Sequence, residues 1–190
     1  MKKETKLMIS DFSIIFIALV LLLVTGRPDF VVLGAYFLLA AYFFATKRTN
    51  YYYALGVASV FALVWVSAAG QFYDYKNPLL SVLGFKLFPL FAWATGLFCS
   101  FLVYEHLARF LKLKKFIAKI LVFTLFYISA LIISETIGYH YFGIQLVTDY
   151  PGLPLCNCIH APLWFQISYL LMGPVYFAAC YLLEKYCKKK

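Results

Sequence analysis

Hydrophobic positions in this chain do not alternate with polar ones; they come in long, almost unbroken blocks. A helix needs about 20 mainly apolar residues to cross the hydrocarbon core of a bilayer. Six blocks qualify, over residues 9–25, 30–46, 51–69, 82–104, 116–138 and 163–183. Transmembrane strands would instead show short segments of alternating hydropathy. The pattern therefore predicts an all-α fold, a polytopic integral membrane protein built as one domain (residues 1–190) of about six transmembrane helices. Short polar turns at 26–29 and 47–50 join the first three spans in an up-down-up series. Lys2, Lys3 and Lys6 ahead of the first block look like the start of a secretory signal. Val24-Thr25-Gly26-Arg27 is a poor cleavage site, however, so the block is read as a retained helix.

Composition supports this class. The chain is 64% hydrophobic and 13% charged, against about 25% charged in an ordinary soluble domain. That leaves too little polar surface for a water-facing globule, and far too much apolar surface for a disordered chain. The formal net charge of +9 gains meaning once the basic residues are sorted by side. With the N-terminus inside, fourteen of the 17 basic residues fall on the inner face, and only Arg27, Lys76 and Lys86 fall outside. By the positive-inside rule both termini are expected in the cytoplasm of a cell-membrane protein. The lysines are spread over four juxtamembrane segments, where anionic headgroups are their natural partners. Membrane lipids are thus the expected partners, and nucleic acid is not.

Two longer segments are expected on the outer side, Gln71–Ser81 and Tyr139–Pro162, both punctuated by glycine, proline or asparagine. Loop 139–162 is the candidate lid or site. Ionisable groups within spans are costly and so draw attention. Asp11, Glu105, His106 and Glu184 fall near inner boundaries and are read as solvated. Lys86 and Glu135 fall near the outer ends of the fourth and fifth spans, where they pair, line a vestibule, or in the case of Lys86 snorkel to the interface. If its helix continues past Gly138, Glu135 shares a face with Gly138, Tyr139 and Phe142. Glu135 is accordingly the candidate acid or base, with Tyr139, His140 and His160 to position substrate or relay protons and Asp149 to orient a histidine. The competing reading puts the tyrosines in the interfacial aromatic belt.

Cys156, Cys158 and His160 alternate, which in an extended backbone turns all three side chains to one face. Such a set is a candidate site for a zinc or copper ion, or else the two cysteines are small apolar fillers under a lid. Cys156 and Cys158 are expected to be poorly placed to bond each other. Cys99 and Cys180 read as packing residues. Pro89 and Gly173-Pro174 predict kinks that, with Trp93 and Trp164, outline an aromatic, substrate-binding cavity opening outward, with Lys86 available to an anionic ligand. Small residues on the second and third spans, among them Gly34, Gly56 and Ala58, allow close helix contact. The chain has no phosphate-binding loop, nucleophile elbow or H-E-x-x-H motif.

Six spans in a chain of this size with basic inner loops resemble the substrate-binding subunit of an energy-coupling-factor vitamin transporter, although the alanine-rich first helix of that family is missing. Glu135-x-x-Gly138, followed by Gly143 and a proline-rich turn, is loosely similar to membrane carotenoid cyclases and hydratases. The paired acidic motif of the cyclases is absent, since Leu153-Pro154-Leu155 leads into Cys156-Asn157. Each resemblance covers a small part of the chain, and no residue role is carried over from either. The leading expectation is a small membrane enzyme acting on a lipophilic, lipid- or isoprenoid-like substrate at the outer mouth. The alternatives are a solute-binding or transporter subunit, and an accessory subunit of a larger membrane complex; a second copy of the chain or a membrane-complex partner is the expected protein contact.

Overall fold

A computed structural model describes residues 3–75, 80–82, 85–154 and 157–187. Six long helices dominate it: α1 (Lys3–Val24), α2 (Pro28–Ala45), α3 (Tyr52–Ala69), α4 (Leu87–Phe110), α5 (Phe116–His140) and α6 (Leu163–Cys187). Each is long and apolar enough to cross a membrane. The other regular elements among the described residues are short: two single-turn 3-10 helices (Thr49–Tyr51 and Gly70–Phe72) and four strands, β1 (Tyr73–Tyr75), β2 (Ser81–Val82), β3 (Phe85–Lys86) and β4 (Ile144–Leu146).

Two ends of the bundle are distinguishable. At the basic end lie the α2–α3 and α4–α5 turns. Each follows a helix that stops in the same way, with Lys47 (φ 55°) or Lys112 (φ 52°) in the left-handed region. The next residue's N–H then reaches back to the helix, Arg48 to Phe43 O (2.8 Å) and Leu113 to Ala108 O (3.0 Å). These are Schellman-type caps, which satisfy carbonyls left open at a helix end and reverse the chain sharply. At the opposite, loop end, β1 pairs antiparallel with β4, with Tyr73 opposite Leu146 and Tyr75 opposite Ile144. That ladder ties the α3–α4 connection to the α5–α6 connection. Tyr141 Oη also donates to Leu23 O (2.9 Å), joining the ends of α5 and α1.

The core is aromatic. Ala54, Ala58 and Ala62 are fully buried at four-residue intervals on α3, giving α4 a flat surface to pack on. On α6, Phe165, Tyr169, Met172, Tyr176 and Cys180 turn inward as one stripe, at the spacing of a helix face. Gly34 and Gly56, by contrast, have open space where a side chain would be and mediate no close contact. In an apolar medium burial alone does not drive helices together, so packing and buried hydrogen bonds carry the specificity. Tyrosine hydroxyls supply several of these bonds: Tyr52 to Ala40 O, Tyr127 to Tyr169 O (both 2.8 Å) and Tyr176 to Ala54 O (3.1 Å).

Two of the expected breaks turn out differently from each other. Pro89 lies in the first turn of α4, where helix N–H groups have no intrahelical acceptor anyway, so it interrupts nothing. Pro174 is interior to α6. Beside it the Tyr127 ring packs so closely on Gly173 that a Cβ there would clash with the ring.

Candidate functional site

The candidate site lies at the loop end. After β4 the chain runs through Asp149 and Tyr150 into a compact turn closed by two backbone bonds, Leu153 N–H to Cys158 O (2.7 Å) and Asn157 N–H to Leu153 O (2.8 Å). Gly152 makes that closure possible: a Cβ on it would meet the Asn157 carbonyl carbon at 2.8 Å. Asn157 (φ 46°) and Ile159 (φ 54°) both adopt left-handed backbone. For a β-branched residue this is a strained conformation, held only where its surroundings over-determine it. Those surroundings are visible. Ile159 is buried, Cys158 is disulfide-bonded, and Gln166 Nε2 donates to Ile159 O (3.3 Å) and Ala161 O (2.9 Å). The result is a rigid mount for His160.

The His160 ring stacks on Tyr139 with centroids 4.0 Å apart and planes 16° from parallel. The two rings separate two cavities. On one side is an open cleft of about 530 Å³, lined by Tyr139, Asp149, Tyr150, Asn157 and His160 together with the prolines and glycine of the turn. On the other is a small enclosed space of about 10 Å³ bordered by Glu135, Tyr139, His160, Tyr169 and Tyr73, room for about one water molecule. His160 Nδ1 and Tyr169 Oη are buried without a hydrogen-bond partner among the described residues. The Trp65 indole lies near the Tyr169 hydroxyl, but the contact falls short of bonding geometry. Unpaired buried polar atoms are rare in folded proteins and call for an explanation; of the three among the described residues, Thr95 Oγ1 lies on α4 and the other two belong to residues that border the small cavity with Glu135.

Several expected residues therefore converge. Glu135 and Tyr139, one helical turn apart on α5, share the small cavity, and His160 and Tyr139 border both spaces. Asp149 lines the cleft mouth. His140 is exposed, edge-on to Tyr139 (5.0 Å between centroids), and borders neither cavity. Trp93 stacks on Tyr169 (5.1 Å) behind the small cavity. Trp164 is half exposed against Phe72 and Phe165. Neither tryptophan reaches the cleft. Lys86 is in β3, ahead of α4 rather than within it, and lies apart from both cavities. Cys156 and Lys76 lie outside the described residues. Because Cys158 is in a disulfide it has no thiolate to offer a metal, and among the described residues no three of His, Cys, Asp and Glu come together as a metal-binding group. Tyr73, Tyr150 and Tyr169 join the site unforeseen, Tyr73 because the β1–β4 ladder brings it there.

A second polar cluster lies at the basic end, among residues expected to be solvated. Asp11 is 2% exposed. Its carboxylate accepts from Arg48 twice (2.7 and 2.9 Å), from Tyr42 Oη (2.7 Å) and from His106 Nε2 (2.7 Å). The Schellman cap after α2 swings Arg48 back over the Phe43 and Tyr51 rings, 4.8 Å from each centroid. Burial works against the Arg48 charge, but the bonds and charge of Asp11 and the Tyr51 hydroxyl outweigh it, so the guanidinium holds its proton more tightly than usual. Both Asp11 carboxylate oxygens are satisfied. This cluster is a clamp between α1, the α2–α3 turn and α4.

No protein-family model, curated protein or solved structure matches this chain.

Proposed function

We propose that the protein is a small multi-pass membrane enzyme that carries out acid–base chemistry on a lipophilic substrate at the loop end of the bundle. The observation that carries this reading is the position of His160: its ring faces an open cleft on one side and, on the other, the small cavity holding Glu135. A substrate group in the cleft meets the imidazole and the Tyr139 phenol, while the Glu135 carboxyl serves as the proton reservoir behind them. General acids and bases work best when fixed within hydrogen-bond reach of the reacting group and shielded from bulk water. The strained, stapled turn fixes His160, and Tyr169, backed by Trp65 and Trp93, walls the small cavity that Glu135 borders. A lipid-like tail would lie along the apolar faces of α5 and α6, where Ile133 and Leu163 are exposed.

In the same reading the loop end faces outward and the basic end, with both termini, faces the cytoplasm, as the distribution of lysine and arginine supports. A membrane-impermeant maleimide added to whole cells should label Thr148→Cys above the parent background and leave Lys112→Cys unlabelled until the cells are opened; the reverse pattern inverts the topology. The chemistry is tested by comparing lipid and isoprenoid extracts from cells producing the wild-type chain, Glu135→Gln or His160→Gln at equal levels. A product pool should appear with the wild type and fall at least about 100-fold in both variants, the scale of a lost general acid–base group. Extracts that are the same for all three refute the proposal.

A further inference from the structure

The cleft is unusual for this chain in its charge. Seventeen residues are lysine or arginine, and the net charge is +9, yet no lysine or arginine among the described residues lines the cleft. The one formal charge in its wall is the Asp149 carboxylate, which is exposed and makes no ion pair or hydrogen bond among the described residues. Beside it the half-buried Tyr150 presents a ring that neither stacks on another ring nor hydrogen-bonds among the described residues. Tyr139 adds a second ring and Asn157 a neutral amide. A carboxylate next to two phenol rings repels anions. It suits a cation, which gains from the carboxylate's charge and from the negative faces of the rings. Organic ammonium groups are recognised in this way because they shed water more readily than a metal ion and have apolar surface to lay on the rings.

We propose that this cleft binds an organic ammonium group of the size carried by ethanolamine or choline. At about 530 Å³ the cleft falls in the usual range for small-molecule sites, with room for more of an amphiphile than its headgroup. The inference rests on reading the cleft as the substrate-binding face and adds the class of headgroup it takes. Asp149 and Tyr150 grip the ammonium group at the mouth, leaving the adjoining part of the ligand against His160 and Tyr139.

The test uses the full-length protein in nanodiscs of phosphatidylglycerol, titrated by calorimetry with choline chloride, inorganic phosphate or glycerol as separate probes. Choline should bind, and phosphate and glycerol should not. Asp149→Asn and Tyr150→Ala should each weaken choline about fivefold, as expected for one exposed charge pair or cation–ring contact. Repeating the titration in nanodiscs containing phosphatidylethanolamine separates the two sources of the group. Competition identifies a lipid headgroup, and unchanged binding identifies a free amine; either result supports the ammonium site. The proposal is overturned if phosphate or glycerol binds as tightly as choline, if choline does not bind, or if both substitutions leave its affinity unchanged. Glu135→Gln should retain choline binding while losing product. Loss of the ammonium site alone therefore leaves the acid–base reading standing, and failure of Glu135→Gln to affect product leaves the binding result standing.

Discussion

Replacing Asp11 by alanine removes the one buried residue that the described part of α1 contributes to the bundle. The rest of that helix is exposed or half-buried, with Phe16, Ile17 and Val24 facing outward. The lost carboxylate had accepted two bonds from Arg48 and one each from Tyr42 and His106, and it had neutralised a guanidinium only 12% exposed. Removing one member of a buried ion pair typically costs about 3–5 kcal/mol, mostly because the surviving charge is left unpaired. Arg48 keeps its contacts with the Phe43 and Tyr51 rings, so the lower figure applies. About 3 kcal/mol is a shift of roughly 150-fold in the folding equilibrium. Reversible unfolding in mixed detergent micelles, followed by tryptophan fluorescence, should show that loss for Asp11→Ala and a comparable one for Asp11→Asn. The double variant Asp11→Leu with Arg48→Met, which removes both charges and keeps apolar volume, should regain most of it. An Asp11→Ala variant within 0.5 kcal/mol of wild type, or a double variant no better than the single, would refute the view of this cluster as a clamp; that threshold is roughly the noise of such measurements.

Three further outcomes follow from local geometry. Gly173→Ala should destabilise the fold by about 1–3 kcal/mol in the same unfolding assay, since its Cβ would sit inside the Tyr127 ring. Tyr127→Phe, which keeps that ring and loses only the bond to Tyr169 O, should cost about 0.6 kcal/mol; if the two substitutions cost the same, close packing at Gly173 is not what matters there. Gly152→Ala should leave the melting midpoint nearly unchanged but abolish product in lipid extracts, because the turn that carries His160 cannot close over a Cβ.

The helices were legible because a run of apolar residues is a local signal, and the six predicted blocks match the observed helices, overrunning an end by more than one residue only at the start of the fourth. There the hydropathy of Val82 and Phe85 merges a β-hairpin with the helix that follows, which is why Lys86 was assigned to a span. Glu135 and Tyr139 could be paired from their spacing alone. Asp11 was misread because a carboxylate near a span end normally reaches water, while the groups that bury this one come from Tyr42, Arg48 and His106, residues 31, 37 and 95 positions away. Tyr73 joined the site through a three-residue ladder, too short to register as strand periodicity. The alternation of Cys156, Cys158 and His160 assumed an extended backbone, whereas Asn157 and Ile159 are left-handed, and that breaks the common face the metal reading required.

The central claim is that Glu135 and His160 work as one unit across the small cavity. Its most direct test measures product formation in Glu135→Gln, His160→Gln and the double variant, each in purified membranes with equal protein. Groups acting as a unit are strongly non-additive, so the double variant should lose no more activity than the worse single variant. Single-variant losses that multiply in the double variant, or full activity in either single variant, would contradict the account.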